Sequence, residues 1–196
     1  LAKSLLGSYF LEKNNALKLE DYKEGDKNIP FRVLEKTWKG SELAGIEYEQ
    51  LFPWVNVTEK AFRVVTGDFV TTEDGTGIVH IAPTFGADDA KVGKENDVPG
   101  LILIDKDGNT RPMVDLTGKF YRIEDLDDDF VKNNVNVDLY KEFAGRFVKN
   151  EYNEALSETE VTLDVDLSVS LKLRNRAFRI EKFVHSYPHC WRTDKP

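Results

Sequence analysis

Apolar residues recur along this chain with two different periods, and the two periods predict different elements. Helical spacing predicts a helix within residues 1–12 and further helices within 86–96 and 123–148. Short apolar runs bounded by turn residues predict strands at 31–34, 62–65, 68–72, 78–81 and 101–104. The pair Asp107-Gly108, soon after the last of these runs, predicts a hairpin turn.

Residues 161–173 are the ambiguous part of the pattern. Apolar and polar side chains alternate there without a break, the apolar ones being Val161, Leu163, Val165, Leu167, Val169, Leu171 and Leu173. A period of two is typical of a strand with one buried face, so periodicity alone predicts a strand. The family resemblance described below implies a helix with Asp164 or Asp166 near its start, and we favour the helix.

Composition describes a soluble globular protein. Its 196 residues, 40% hydrophobic and 32% charged, suit a single domain over residues 1–196 with a real core. There is no apolar run of about 18–20 residues for a membrane span, and no signal peptide. Cys190 is the only cysteine, which excludes an internal disulfide. We therefore expect a cytoplasmic protein with no membrane partner. The first residue is not Met, which favours a piece of a longer protein.

The net charge of −8 argues against a general binder of nucleic acids, because such binding rests largely on cationic contacts to phosphate. A local basic strip is the exception. It comprises Lys172, Arg174, Arg176, Arg179 and Lys182. Such a strip is either a solvated face or a local nucleic-acid contact, and the residues alone leave both readings open.

Residues 75–89 hold the densest candidate chemistry. Asp74-Gly75-Thr76-Gly77 is a plain turn or a phosphate cradle, although it matches no Walker loop or dinucleotide fingerprint. His80 ends an apolar run and is either structural or functional. Asp88 and Asp89 either cap a helix or face a pocket.

The other candidate chemistry is near the end of the chain. His185, His189 and Cys190 offer three metal donors where a structural zinc site needs four, so we predict no metal site. No Gly-x-Ser-x-Gly elbow is present, which argues against a serine hydrolase of the usual kind.

Residues 75–89 combine Gly75-Thr76-Gly77-Ile78-Val79-His80-Ile81-Ala82-Pro83 with Phe85-Gly86 and Asp88-Asp89. Taken together, these residues closely resemble the core motif of the editing (CP1) domain of isoleucyl-tRNA synthetase, a class I aminoacyl-tRNA synthetase. Three other stretches agree in the expected order. They are residues 45–53, 118–120 and 185–192. Related valyl and leucyl enzymes typically carry lysine or methionine where His80 stands, so His80 favours the isoleucine enzyme.

The resemblance implies a mainly β fold with peripheral helices, of the α+β class, with a barrel-like core. It implies hydrolysis of valine wrongly attached to isoleucine tRNA. Asp89 would hold the α-ammonium, and His80 would bound the side-chain pocket and contact the terminal ribose. Gly75, Thr76 and Gly77 would lie near the terminal adenosine, and the basic strip would contact tRNA. The partners would be the tRNA 3′ acceptor end and the rest of the synthetase. ATP and Mg²⁺ belong to the parent enzyme, and we expect no cofactor in this domain.

Two alternatives remain beside this interpretation. The family's threonine-rich peptide normally precedes the point where this chain begins, and Thr71-Thr72 is not that peptide. The chain would then be poorly active alone, or a non-catalytic domain that docks the tRNA acceptor end. A free-standing trans-editing hydrolase is the other alternative.

Overall fold

The computed structural model describes residues 1–23, 25–57, 60–73, 75–149 and 161–181. Within these ranges it contains five α-helices and one two-stranded sheet. Their bounds are α1 Leu6–Tyr9, α2 Ala87–Glu95, β1 Leu103–Ile104, β2 Thr110–Arg111, α3 Asp128–Asn134, α4 Val137–Tyr140 and α5 Leu163–Leu173. Short 3-10 helices lie at Lys3–Leu5, Glu12–Ala16, Leu19–Asp21, Gly40–Leu43 and Ile123–Asp125. None of the described helices is long and apolar enough to cross a membrane.

The chain divides into two compact units. Unit 1 comprises Leu1–Met113 and Leu126–Asn136, and unit 2 comprises Val114–Asp125 and Val137–Pro196. The assignment of residues 1–196 to a single domain stays a prediction.

The predicted hairpin is confirmed in unit 1, where β1 and β2 pair antiparallel. Asp105 holds its turn: Oδ1 accepts N–H bonds from Asp107 at 3.0 Å and Asn109 at 2.8 Å, and Oδ2 pairs with Arg111 Nε at 2.6 Å. The backbone hydrogen bond from Asn109 contributes most to lowering the pKa of Asp105 from 3.8 to about 2. Hydrogen bonds from the Arg111 and Asn109 side chains add to it, against the opposing effect of burial.

A helix and a short backbone pairing complete the buried part of unit 1. Asp127 caps α3 by accepting the Phe130 N–H at 2.8 Å, which is the usual role of aspartate at a helix start. After α3, the chain at Val135 pairs antiparallel with Val55. The buried apolar side chains of this unit are Leu5, Trp54, Val55, Leu103, Met113 and Leu126.

Tyr140, at the end of α4, is fully buried in unit 2. Its hydroxyl donates to the Tyr121 carbonyl at 2.6 Å, and its ring meets Phe120 edge to face at 6.3 Å. Burial raises the pKa of this hydroxyl above its ordinary value. Phe120 is anchored in turn by two backbone hydrogen bonds, with Arg146 at 3.0 Å and Gly145 at 2.9 Å.

The structure resolves the ambiguity at 161–173 in favour of the helix, α5. Its first turn carries Asp164 and Asp166, which form ion pairs with Lys149 and Arg146. Carboxylates are favoured there by the helix dipole. Burial raises the pKa of Asp164, but hydrogen bonds from Lys149 and Thr162 outweigh it and hold that pKa below its ordinary value.

Alternation in a helix produces two stripes, because residues two apart are rotated by about 200° and residues four apart share a face. The inner stripe is buried or half-buried and consists of Leu163, Leu167 and Leu171. The outer stripe is 46% to 83% exposed and consists of Val165, Val169 and Leu173. The period of two therefore reflects two apolar faces of one helix.

The α+β class is confirmed, but the predicted predominance of strands is not found among the described residues. Residues 78–81 and 68–72 form no ladder, so the strands predicted there are wrong. Residues 31–34 are likewise outside any strand. At 62–65 only an isolated bridge forms, between Arg63 and Glu47. An apolar run favours an extended strand but does not provide the second strand with which it must pair. At Asp68 and Phe69 the chain forms a turn where a strand was predicted.

Candidate functional site

The glycine-rich start of the motif is a tight turn in unit 1. Gly75 and Gly77 adopt φ angles of +60° and +76°, which side chains other than glycine rarely tolerate. Thr76 closes the turn: its Oγ1 donates to the Ile78 carbonyl at 3.0 Å and accepts the Ile78 N–H at 3.3 Å. Asp74 lies outside the described residues. We name residues 75–77 the glycine turn.

The N-terminal segment is hydrogen-bonded to this turn and to the residues before it. Ala2 N–H donates to the Thr76 carbonyl, and the Tyr9 hydroxyl donates to the Gly75 carbonyl, both at 2.8 Å. Ser4 Oγ donates to the Thr72 carbonyl at the same distance. A side chain on Gly77 would place its Cβ 2.7 Å from the Cβ of Ala2. Gly77 is therefore needed for this close approach.

Asp89 is the third residue of α2, the helix predicted at 86–96 and confirmed. Its Oδ2 accepts the Ala82 N–H at 3.0 Å, which ties the helix start to the preceding loop. The Ala82 carbonyl accepts N–H bonds from Phe85 at 2.9 Å and Gly86 at 3.3 Å. Asp89 is half-buried, whereas the neighbouring Asp88 is exposed. The structure thus distinguishes two acids whose residue type and position alone leave them equivalent, and the family resemblance singles out the same one, Asp89.

A groove of about 920 Å³ runs between α2 and the turn at residues 66–69. Its walls are formed by Thr66, Gly67, Asp68, Phe69, Val79, Asp88, Asp89, Lys91, Val92, Glu95 and Asn96. Four of these side chains are carboxylates and one is an ammonium. Such a groove favours a cationic group, with Phe69, Val79 and Val92 offering apolar contact beside it. Its volume lies within the range of about 300–1,000 Å³ common for ligand sites.

The predicted site residues are only partly gathered in this groove. Asp89 lines it, together with Val79 from the same motif. His80 is exposed and is not part of the groove walls, and neither is the glycine turn. The wall at 66–69 was missed, and its only sequence signal is the Gly67-Asp68 pair between two apolar runs.

Comparison with known proteins gives no match to any family profile. The chain is 63% identical over 196 residues to an isoleucine–tRNA ligase of Bacteroides fragilis, covering the whole chain and 17% of that relative. It is 56% identical over 197 residues to the Porphyromonas gingivalis ligase, again covering 17% of the relative. The Clostridium acetobutylicum ligase is 40% identical over 159 residues, which cover 81% of this chain. The chain belongs to the isoleucine–tRNA ligase family.

The chain spans 17% of the length of the Bacteroides fragilis and Porphyromonas gingivalis relatives and 12% of the Clostridium acetobutylicum one. The relatives carry the name of an enzyme, and the chain is part of an enzyme of that family. The membership agrees with the resemblance carried by residues 75–89.

The basic strip begins in the last turn of α5 and continues into the residues after it, in unit 2. Lys172 lies in the last turn of α5, Arg174 caps it, and both are exposed. Arg176 is also exposed, and Arg179 is exposed and forms an ion pair with Glu181. Cations near a helix C-terminus are favoured by the helix dipole, so a structural role accounts for Lys172 and Arg174 as well. Lys182 lies outside the described residues.

The donors considered for a metal, His185, His189 and Cys190, also lie outside the described residues. Within the part of the chain that the structure describes, no three His, Cys, Asp or Glu side chains are grouped to hold a metal ion.

Proposed function

We propose that this chain is the editing segment of an isoleucine–tRNA ligase and hydrolyses valine wrongly esterified to isoleucine tRNA. The observation that carries this proposal is the position of Asp89, which lines a groove formed by both carboxylates and apolar side chains. One carboxylate oxygen, Oδ2, is engaged by Ala82 N–H. The other is directed, in this proposal, to the α-ammonium of the misattached valine as a charge-assisted hydrogen bond.

The reaction requires only water and an oriented ester. A water oxygen attacks the ester carbonyl carbon, and the bond from that carbon to the ribose oxygen breaks. The products are valine and a tRNA with a free ribose hydroxyl, which takes up one proton of the water. In the proposal His80 limits the side-chain pocket and contacts the terminal ribose, and the glycine turn approaches the terminal adenosine.

The need for such a step follows from the similarity of the two amino acids. One methylene in a hydrophobic pocket is worth only about 1–3 kcal/mol, a general value for which this synthetase is itself the usual illustration. A second site that hydrolyses the smaller product supplies the missing accuracy. The proposal assigns ATP and Mg²⁺ to other parts of the ligase, and it retains the barrel-like core that the resemblance implies.

The test uses a full-length enzyme in which this chain replaces its 63% identical counterpart in the Bacteroides fragilis ligase. Hydrolysis of valyl-tRNA is measured for the chimera and for Asp89→Asn, which keeps an acceptor for Ala82 N–H but removes the charge. Losing a charge-assisted bond of about 1.5–3 kcal/mol lowers kcat/KM roughly 10- to 150-fold. Asp88→Asn is the matched control, since Asp88 lines the same groove from the same helix turn, and we expect less than about a threefold change.

Equal losses in the two variants would contradict the role of Asp89. If the unmodified chimera binds tRNA but does not hydrolyse valyl-tRNA, the catalytic proposal fails. The role of His80 is tested separately: His80→Ala is expected to begin hydrolysing correctly charged isoleucyl-tRNA. A variant that still spares isoleucyl-tRNA would show that His80 does not exclude isoleucine.

The second candidate is a non-catalytic segment that docks the tRNA acceptor end. The exposed cations Lys172, Arg174 and Arg176 favour it. Under this alternative, replacing them by glutamine weakens tRNA binding, while Asp89→Asn has no effect on any measured rate.

A further inference from the structure

The loop at residues 82–86 is bound to the carboxylate of Asp89 from one side and to its own backbone from the other. Ala82 N–H donates to Asp89 Oδ2 at 3.0 Å. The carbonyl of the same residue accepts from Phe85 and Gly86 N–H. Both backbone polar groups of Ala82, its N–H and its carbonyl, are thus used within this loop and the start of α2. The position of the carboxylate is therefore coupled to the conformation of this loop.

Gly86, the N-cap of α2, lies beside the Asp89 side chain, with no room for a Cβ at normal contact distance. A Cβ at residue 86 would lie 3.0 Å from both Cγ and Oδ2 of Asp89. The φ angle of Gly86 is −125°, a value that any residue adopts. The requirement for glycine therefore comes from the Asp89 carboxylate and not from the backbone conformation.

The loop at residues 82–86 cannot easily move away from a side chain at residue 86, because Pro83 and Thr84 already pack closely against two further glycines. A Cβ on Gly93, in α2, would lie 3.0 Å from Pro83 Cγ. A Cβ on Gly100 would lie 2.7 Å from Thr84 Cγ2. Pro83 and Thr84 are thus already packed against backbone. A side chain at residue 86 would therefore require the Asp89 side chain to shift by a few tenths of an ångström.

We propose that Gly86 is a positioning residue for Asp89: its missing side chain leaves the space in which the carboxylate is held by Ala82 N–H. The expected effect on catalysis rests on the proposed editing function. The close approach of residue 86 to Asp89 is independent of that function. Small displacements of a group that orients substrate lower the rate, and a shift of about 1 Å can cost 100-fold. For a smaller shift we expect Gly86→Ala to lower kcat/KM for valyl-tRNA hydrolysis roughly three- to tenfold.

Two variants separate positioning from helix capping, since alanine is a poorer N-cap than glycine. Gly86→Ser introduces the same Cβ but a more favourable cap, so it is expected to melt above Gly86→Ala and still hydrolyse slowly. Gly40→Ala is the matched control, because a Cβ there meets nothing within 4 Å. Activity is measured in the full-length chimera, with tRNA binding as a readout that should not change.

A double-mutant cycle gives the decisive measurement. In an Asp89→Ala background, Gly86→Ala should cause no further loss of activity, and its effect on the melting temperature should differ from that in the unmodified chain. An identical effect on melting in both backgrounds, or full activity in Gly86→Ala and Gly86→Ser, would overturn the proposal. If the coupling appears in melting while no form hydrolyses valyl-tRNA, the positioning contact stands and the proposed function fails.

Discussion

Replacing Tyr140 by phenylalanine tests the packing of unit 2 by removing a single oxygen atom. The ring is retained, so its edge-to-face contact with Phe120 should persist. What is lost is the hydrogen bond of 2.6 Å to the Tyr121 carbonyl. Such a bond contributes about 1 kcal/mol net. Tyr121 is only half-buried, so its carbonyl can bond to water in the variant. The loss of stability therefore stays below the roughly 3 kcal/mol that a fully buried carbonyl without a hydrogen-bond partner would cost.

For a chain of this size, a loss of about 1 kcal/mol lowers the melting temperature by roughly 2–4 °C. Thermal unfolding followed by circular dichroism will measure this near neutral pH. Tyr22→Phe is the control, because Tyr22 is exposed and the same change there should leave melting unaltered. A Tyr140→Phe variant as stable as the unmodified chain would refute the assigned hydrogen bond.

Alkaline pH extends the test. The pKa of Tyr140 is raised by burial in the folded protein, so the folded state favours the neutral hydroxyl. Its contribution is complete below the ordinary tyrosine pKa of about 10 and is lost as the pH rises above that value. The unmodified chain should therefore lose its advantage over Tyr140→Phe between about pH 10 and 12. A constant difference across this range would show that the buried hydroxyl does not govern the alkaline transition.

Three further predictions concern the hairpin and α5. Acid will weaken the β1–β2 hairpin, because the pKa of Asp105 is depressed from 3.8 to about 2: the stabilisation is complete above about pH 4 and is lost as the pH falls through 2. The protection factor of the Asn109 amide, which corrects for the intrinsic pH dependence of exchange, measures this, and a protection factor that does not fall toward pH 2 would disprove it. Gly108→Ala, at φ +78°, should cost about 1 kcal/mol in chemical denaturation, and no cost would mean that the turn relaxes. Arg146→Ala should destabilise α5 by about 0.5 kcal/mol, since its ion pair with Asp166 is more than one third exposed. High salt should erase this difference, and a salt-independent loss would point to packing instead.

The sequence predicted elements well where local chemistry determines them. The helix α2 has acids in its first turn and Lys94 in its last, and these charges complement the helix dipole. The hairpin turn after residue 104 is predicted from Asp107-Gly108, and the structure adds the carboxylate of Asp105, which holds the turn within a few positions. Both kinds of signal are local, and the structure confirms both.

Elements that depend on distant partners were predicted poorly. An apolar run such as Ile78-Val79 cannot indicate whether a second strand lies beside it, and in the structure both residues are about half exposed. The N-terminal residues Ala2, Ser4 and Tyr9 are bonded to residues 72–76, some seventy positions away. No local pattern carries that contact. At 66–69 the Gly67-Asp68 pair signals a turn, but no local pattern shows that this turn lies against α2.

The sequence of helix α5 determines how readily this chain would aggregate if the helix unfolds. Extended, residues 161–173 would place every Val and Leu on a single face, with no Pro or Gly to interrupt them. Such segments add readily to other strands and assemble into cross-β structure. The ion pairs of Asp164 and Asp166 stabilise the first turn of this helix, and the helix divides the apolar residues between two faces. Losing the helix would place those residues together on one aggregation-prone face, within a chain of otherwise acidic character.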